Sequence, residues 1–291
     1  NAQNGLLLFD PPTGSGKTYN VLRWIFENYK THCREGRKIF FITNLKKNLP
    51  LDDLRNDHFA KNNKVDDFIK HVLFLDSNMG FVLKNFDEVK DSIPEYFGKL
   101  QAFRSLRNQV RLVNNLKSSN KFKDILTAAE NELRNKYEPE FRRRIELYLK
   151  ENYPNKKTRL KAIKTEPNLK WIGKLYPSVF SSERKIFFLS ISKFYAQNST
   201  LVEPSYHFIN HDITKDAIIF IDEIDATKDS ILSNIIDKGK RQSIDYIHLF
   251  NEIYWALSNN TLPVDFLEHS KNRQQQIDKG YNYKDLKDIE N

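Results

Sequence analysis

Apolar residues fall into two patterns along this chain. Short, nearly unbroken apolar runs occur at Leu6–Phe9, Lys38–Thr43, His71–Asp76, Lys185–Ser190 and Ala217–Ile221. Runs this short, rich in Ile, Leu and Phe, have the signature of strands buried on both faces. Elsewhere the apolar residues recur at helical spacing. Val21, Leu22, Trp24, Ile25 and Phe26 predict a helix over Tyr19–Tyr29, and Phe141, Ile145, Leu147 and Leu149 predict another. From about Phe81 to Lys170 no strand-type run occurs, and the segment is rich in Leu, Lys, Arg, Glu and Asn. It predicts a large, mostly helical insertion. Two more helices are expected near Lys228–Asp237 and Asp245–Leu257, followed by a polar segment from Glu268.

Strands alternating with helices predict an α/β fold whose central, mostly parallel sheet is covered by helices on both faces. The expected organisation is a sheet domain built from 1–80 and 171–267, a basic helical insertion over 81–170, and a polar tail or linker start over 268–291.

Composition narrows the function classes. With 291 residues, 39% hydrophobic, including 21 Phe and 13 Tyr, the chain can bury a sizeable core, which argues against global disorder. Cys33 is the only cysteine, so no intramolecular disulfide and no multi-cysteine zinc or iron–sulfur site can form. No run approaches the roughly 20 apolar residues of a membrane span, and no secretory signal pattern opens the chain. A cytoplasmic location without a membrane partner is expected.

The formal net charge is +9. It is concentrated: residues 101–170 hold 18 Lys and Arg against 8 Asp and Glu, a net +10, and the rest of the chain is nearly neutral. Such an excess favours polyanionic partners. Arg142, Arg143 and Arg144 form one dense cluster, and Lys156, Lys157 and Arg159 another, with Tyr137, Phe141, Tyr148 and Tyr153 between them. Two readings stand. One is a clamp or wedge in which lysines and arginines neutralise phosphates and rings stack on bases. The other is a solvated helical face whose aromatics fill a local core.

Two segments carry candidate chemistry. The first, Thr13-Gly14-Ser15-Gly16-Lys17-Thr18, lies between an apolar run and an amphipathic one. Strand, glycine-rich turn and helix are the context a phosphate loop requires, although Pro11 occupies the pattern's first glycine position. Gly14 and Gly16 let backbone N–H groups approach phosphates, and the helix presents its positive end to them. Lys17 would reach the β- and γ-phosphates of ATP, and the Thr18 hydroxyl would ligate Mg²⁺. The second is Asp222-Glu223-Ile224-Asp225, directly after an apolar strand. Acids at the carboxyl end of a strand lie where open α/β sheets bind ligands. Asp222 would hold Mg²⁺, and Glu223 would orient or deprotonate the attacking water. His207 and His211 are four apart, but Phe208 stands where a metalloprotease pattern needs Glu, so they are expected to be ordinary loop or surface histidines. No Gly-x-Ser-x-Gly elbow occurs.

The pair of segments resembles motifs I and II of superfamily-two (DEAD/DEAH-type) helicases and translocases. The resemblance implies a RecA-like first motor domain that couples ATP hydrolysis to movement on DNA or RNA. In the family the position of Asp225 helps link hydrolysis to nucleic-acid contacts. The resemblance further suggests backbone contacts from Thr43, Lys46 and Lys47 after one strand, and from Ser190, Ser192 and Lys193 after another. Arg142, Arg143 and Arg144 of the insertion join them as candidate contacts. A Ser-Ala-Thr motif after the acidic box is missing, and the resemblance covers about half the chain. Full activity is expected to need a second RecA-like domain, with its arginine finger, from a longer chain. Two alternatives are another P-loop ATPase of AAA+ type acting on protein, and a nucleotide-responsive nucleic-acid-binding module with little turnover.

Overall fold

The computed structural model describes residues 14–118 and 122–222, together with Gly5 and Leu232. The expected strand Leu6–Phe9, the acids Glu223 and Asp225, the expected helices beyond them (Leu232 apart) and the tail from Glu268 lie outside the described residues. The chain parts into two compact units, Asn1–Ser233 and Asn234–Asn291, and the described strands and helices all belong to the first.

The four described apolar runs form β1 (Ile39–Thr43), β2 (Val72–Leu75), β3 (Ile186–Ser190) and β4 (Ile218–Ile221). They make an all-parallel sheet in the order β2-β3-β1-β4. Successive side chains point to opposite faces. Ile39, Phe41, Ile186 and Phe188 pack on Leu22, Ile25 and Tyr29 of α1 (Lys17–His32). Phe40, Ile42, Phe187 and Leu189 pack on the other face, against Phe194, Phe208 and Ile213. Both faces of β1, β2 and β3 are covered, which is why these strands read as continuous apolar runs with no polar alternation, whereas Ile219 and Ile221 of β4 are exposed. In-register aromatics reinforce the pairing: Phe40 stacks on Phe187 at 4.8 Å and Phe41 on Phe188 at 5.3 Å.

Between β1 and β2 lie α2 (Leu51–Asp53), a wide helical turn over Leu54–Phe59, and α3 (Val65–His71). The long β2–β3 connection is helical, as expected. It contains α4 (Asn78–Val89), α5 (Glu95–Gly98), α6 (Gln101–Ser118), α7 (Lys123–Glu132), α8 (Glu138–Asn152), α9 (Lys156–Thr165) and α10 (Lys170–Leu175). These helices enclose a core of their own. On α6, Ala102, Phe103, Leu106, Val110 and Val113 recur at three- to four-residue spacing and are buried. On α8, Phe141, Ile145 and Leu149 step inward by four, whereas Leu147, expected in the same set, falls on the outer side and is 40% exposed.

The helical core is wider than residues 81–170. It takes in Met79 at one end and Trp171, Ile172, Leu175, Tyr176 and Val179 at the other. After β3 come α11 (Ile191–Tyr195) and an irregular connection to β4. Leu201 and Val202 of that connection enter the helical core and fasten the body to the sheet domain.

Candidate nucleotide site

All four strands are parallel, so their carboxyl ends share one edge. The register sets Thr43 beside Ser190, Leu75 beside Leu189 and Ile42 beside Ile221. Asp76, Ser190, Thr43 and Asp222 therefore form a row across that edge, neighbours about 4.8 Å apart. The Asp222 N–H donates to the Ile42 carbonyl at 2.9 Å, which extends the β4 pairing by one step. By the two-residue period, Asp222 belongs to the same face as Ile218 and Phe220.

That face carries α1. Trp24 meets the ring of Phe220 edge-on at 5.5 Å. The far end of α1 sits at the opposite edge of the sheet. There Tyr29 lies 5.6 Å from the His71 ring, just before β2, and the Cys33 thiol donates to the Lys185 carbonyl, just before β3, at 3.8 Å. The helix therefore runs antiparallel to the strands for its 16 residues. Its N-terminus and the glycine turn arrive at the carboxyl edge, on the face to which Asp222 belongs.

The turn has the backbone that its glycines permit. Gly14 and Gly16 have φ of 81° and 73°, in the left-handed region that side-chain-bearing residues rarely adopt. Gly16 caps α1 without a side chain, so no side-chain acceptor at the cap takes up the first-turn N–H groups. Its carbonyl receives both the Asn20 N–H at 2.9 Å and the Asn20 side-chain amide at 3.0 Å, which pins the turn to the helix. Ser15 and Lys17 are exposed and Thr18 is half-buried. A cavity of about 570 Å³ opens here, lined by Ser15, Lys17, Asn20, Val21, Trp24, Ile218 and Phe220. It is the size of a small-molecule site. Thr13 and Glu223 of the candidate set lie outside the described residues.

No family model and no curated protein matches this chain. The chemistry of the site has to be read from its residues.

Of the candidate nucleic-acid residues after β1 and β3, Lys46 and Lys193 come together around one acid. Lys46 pairs with Asp76 at the end of β2. The Asp76 carboxylate also takes the Ser77 N–H at 2.6 Å and lies against Gly80 in the first turn of α4, where the helix end favours negative charge. Lys193 is largely removed from water. Burial lowers its ammonium to about 8, against the opposing pull of Asp76. The hydroxyls are engaged: Thr43 donates to the Leu45 carbonyl at 2.8 Å, and Ser190 accepts the Lys193 N–H at 3.3 Å as the cap of α11. Lys47 and Ser192 are exposed.

In the insertion, Arg142 is tied to Glu138 at 2.9 Å and donates to Ser199 Oγ at 2.7 Å, whereas Arg143 and Arg144 face solvent. Burial raises the Glu138 carboxyl, opposed by Arg142. The interleaved aromatics belong to the core. Phe141 is fully buried against Trp171, Tyr137 and Tyr148 pack on the same cluster, and Tyr153 donates to Glu166 at 2.6 Å.

Asp76 is the acid that sequence pattern alone did not single out. Its signal is present: like Asp222, it directly follows an apolar strand. His207 and His211 are loop residues. His211 stacks on Tyr206 at 3.7 Å, and His207 Nδ1 lies 3.1 Å from the Tyr195 carbonyl. Among the described residues no group of three His, Cys, Asp or Glu could hold a metal, and no helix is long and apolar enough to cross a membrane.

Proposed function

We propose that this chain is the ATP-binding motor domain of a nucleic-acid-dependent ATPase, with a RecA-like arrangement of its sheet. One observation carries the reading. The antiparallel seating of α1 on the face of β4 puts the glycine turn and the acid-tipped strand at one edge of one sheet. A phosphate cradle and a magnesium-binding carboxylate are complementary halves of a single hydrolytic site, and either alone is a common turn or strand end.

In this reading the phosphates of ATP lie on the N–H groups of Gly14–Lys17 and on the positive end of α1. Lys17 is the cation that meets the charge developing on the γ-phosphoryl group. The donor set suits Mg²⁺: one hydroxyl from Thr18 and one carboxylate from Asp222, the remaining positions falling to phosphate oxygens and water. Magnesium held there would neutralise charge between the β- and γ-phosphates. Glu223 follows Asp222 directly and would orient or deprotonate the attacking water. Val21, Trp24, Ile218 and Phe220 form the apolar wall beside the phosphate end. The net +10 of residues 101–170 is the support for a nucleic-acid track.

The test is the ATPase rate with and without single-stranded DNA, single-stranded RNA or duplex, for the parent chain, Lys17→Ala and Glu223→Gln, in the longest natural form of the protein. Stimulation by one nucleic acid is expected, with about a 10²–10³-fold loss of turnover in each variant, the scale of removing one preorganised catalytic group. Unstimulated turnover that both variants abolish would turn the reading to a protein-remodelling ATPase. Nucleic-acid binding without turnover would leave a binding module.

A further inference from the structure

The helical body holds a second cavity, of about 520 Å³, on the side of α9. Lys156, Lys157, Lys161 and Lys164 line it around Leu160, with Glu183 on the far wall. The pattern of charge is unusual for a structural helix. The ten residues of α9 include five basic and no acidic ones, and Lys156 and Lys157 occupy its first turn, where the helix end repels cations. Lys157 and Lys161 are four apart, Lys161 and Lys164 three apart, and like charges at those spacings destabilise a helix.

Two of the four lysines are compensated within the fold: Lys156 pairs with Glu203 at 2.5 Å and Lys164 with Glu183 at 2.5 Å. Among the described residues Lys157 and Lys161 have no ion-pair partner and are exposed. Other exposed lysines of the described residues also lack an ion pair, Lys47 and Lys84 among them; Lys157 and Lys161 differ in lining one cavity together with two further lysines. An anion in the groove would relieve the repulsion.

The surroundings favour a chain of phosphates. Lys157 to Lys164 spans about 10 Å along the helix at 1.5 Å per residue, the axial length of about three phosphates of one duplex strand at 3.4 Å each. Beyond Glu183 lie Arg184 and Lys185 at the head of β3, and Lys38 at the head of β1 donates to the Arg184 carbonyl at 2.6 Å. The groove thus adjoins the amino edge of the sheet, where Arg184 is committed to the Ile69 carbonyl and Lys38 to the Ser182 and Arg184 carbonyls, so the available cations are those of α9. That edge is opposite the one holding the nucleotide site.

We propose that the lysine groove of α9 binds the phosphate backbone of a nucleic-acid strand, as an accessory contact remote from the ATP site. This rests on the nucleic-acid reading above and names its contact surface in the insertion: Lys157 and Lys161, with Arg142 excluded by its engagement with Glu138 and Ser199. Because the groove and the nucleotide site lie at opposite edges, the contact should persist with or without ATP.

The experiment is fluorescence anisotropy of labelled single-stranded DNA, single-stranded RNA and duplex with the full chain, across a salt series. Lys157→Glu/Lys161→Glu is compared with Lys157→Gln/Lys161→Gln and with Lys17→Ala. Both lysines are exposed and the Asn155–Thr158 capping box is untouched, so circular dichroism should match the parent and melting should be no lower, since the like-charge repulsion along α9 is relieved. The glutamate variant should lose at least about tenfold in affinity and the glutamine variant less. The slope of log affinity against log salt should fall by about 1.4 for two phosphates on a single strand. Basal ATPase should be unchanged in both. Lys17→Ala should show the reverse, full binding with turnover reduced about 10²–10³-fold, so a failed groove and a failed motor reading are told apart. Parent-like affinity and salt slope in the folded glutamate variant would overturn the proposal. So would a parent chain that binds inorganic tripolyphosphate at this groove but no nucleic acid.

Discussion

At Gly80 and Gly173 helix propensity and packing point in opposite directions, and magnitudes decide. An alanine inside a helix ordinarily gains up to about 1 kcal/mol over glycine. At Gly80 a Cβ would lie 2.5 Å from the Asp76 carboxylate, which Lys46 and the first turn of α4 hold in place. At Gly173 it would lie 2.7 Å from the Phe180 ring and 3.2 Å from Ile163. Overpacking of this kind costs about 1–3 kcal/mol, so Gly80→Ala and Gly173→Ala should each lower the urea midpoint, and a raised midpoint would refute the packing argument. Asp67 sets a second residue-scale expectation. Lys30 at 2.8 Å, and then the Tyr29 hydroxyl at 2.7 Å, hold its carboxyl down to about 2. The unfolded value is about 3.9. The folded group thus ionises more readily than the unfolded one, and its contribution to stability is complete above about pH 4 and is lost as pH falls towards 2. Asp67→Asn should flatten stability against pH in that window, and a slope equal to the parent's would rule the pair out as its source.

At the scale of elements, α8 shows how the same residues can support two readings until a face is assigned. Its arginines and aromatics alternate in sequence as a stacking clamp would. In the fold, Phe141 sits 6.0 Å from Trp171 and 5.5 Å from Phe103, inside the helical core. The local-core reading therefore holds for the rings, and only Arg143 and Arg144 of the triplet remain exposed. Phe141→Ala should cost about 3–5 kcal/mol, as buried aromatic truncations do, measured by chemical denaturation. Any folded fraction should bind nucleic acid as the parent does, and a selective loss of binding would restore the clamp. The sheet gives the complementary lesson. β1, β2 and β3 announce themselves because both their faces are buried, so residue type alone marks them. The edge at which the glycine turn and Asp222 arrive is set by strand and helix direction, which residue type does not encode.

At the scale of the molecule, the described residues form three cores, one on each face of the sheet and one in the helical body, and Leu201 and Val202 of the β3–β4 connection lie in the last. A ligand that binds the folded state and not the unfolded one stabilises it by mass action. A non-hydrolysable ATP analogue with Mg²⁺, at about 100 times its dissociation constant, should add about 2.7 kcal/mol to unfolding. The Lys17→Ala variant should show no such rise in melting temperature, and an equal rise in both would place the nucleotide elsewhere.

Local chemistry was decided by the sequence itself. Short apolar runs fixed four strands, amphipathic spacing fixed α1 and the helical insertion, and glycines at 14 and 16 marked a turn that needs left-handed backbone. Each depends on neighbours within a few residues, and that information is present in the chain. What only the tertiary structure decided is which distant residues meet and which charges stay uncompensated. Asp76 gathers Lys46 and the neighbourhood of Lys193, Arg142 is drawn to Glu138 and Ser199, and Lys157 and Lys161 are left without partners on a lysine-lined groove. Charge–charge contacts act through space between residues far apart in sequence, so the basic stretch could be counted from the chain, while the folded contacts determined which of its charges stay available.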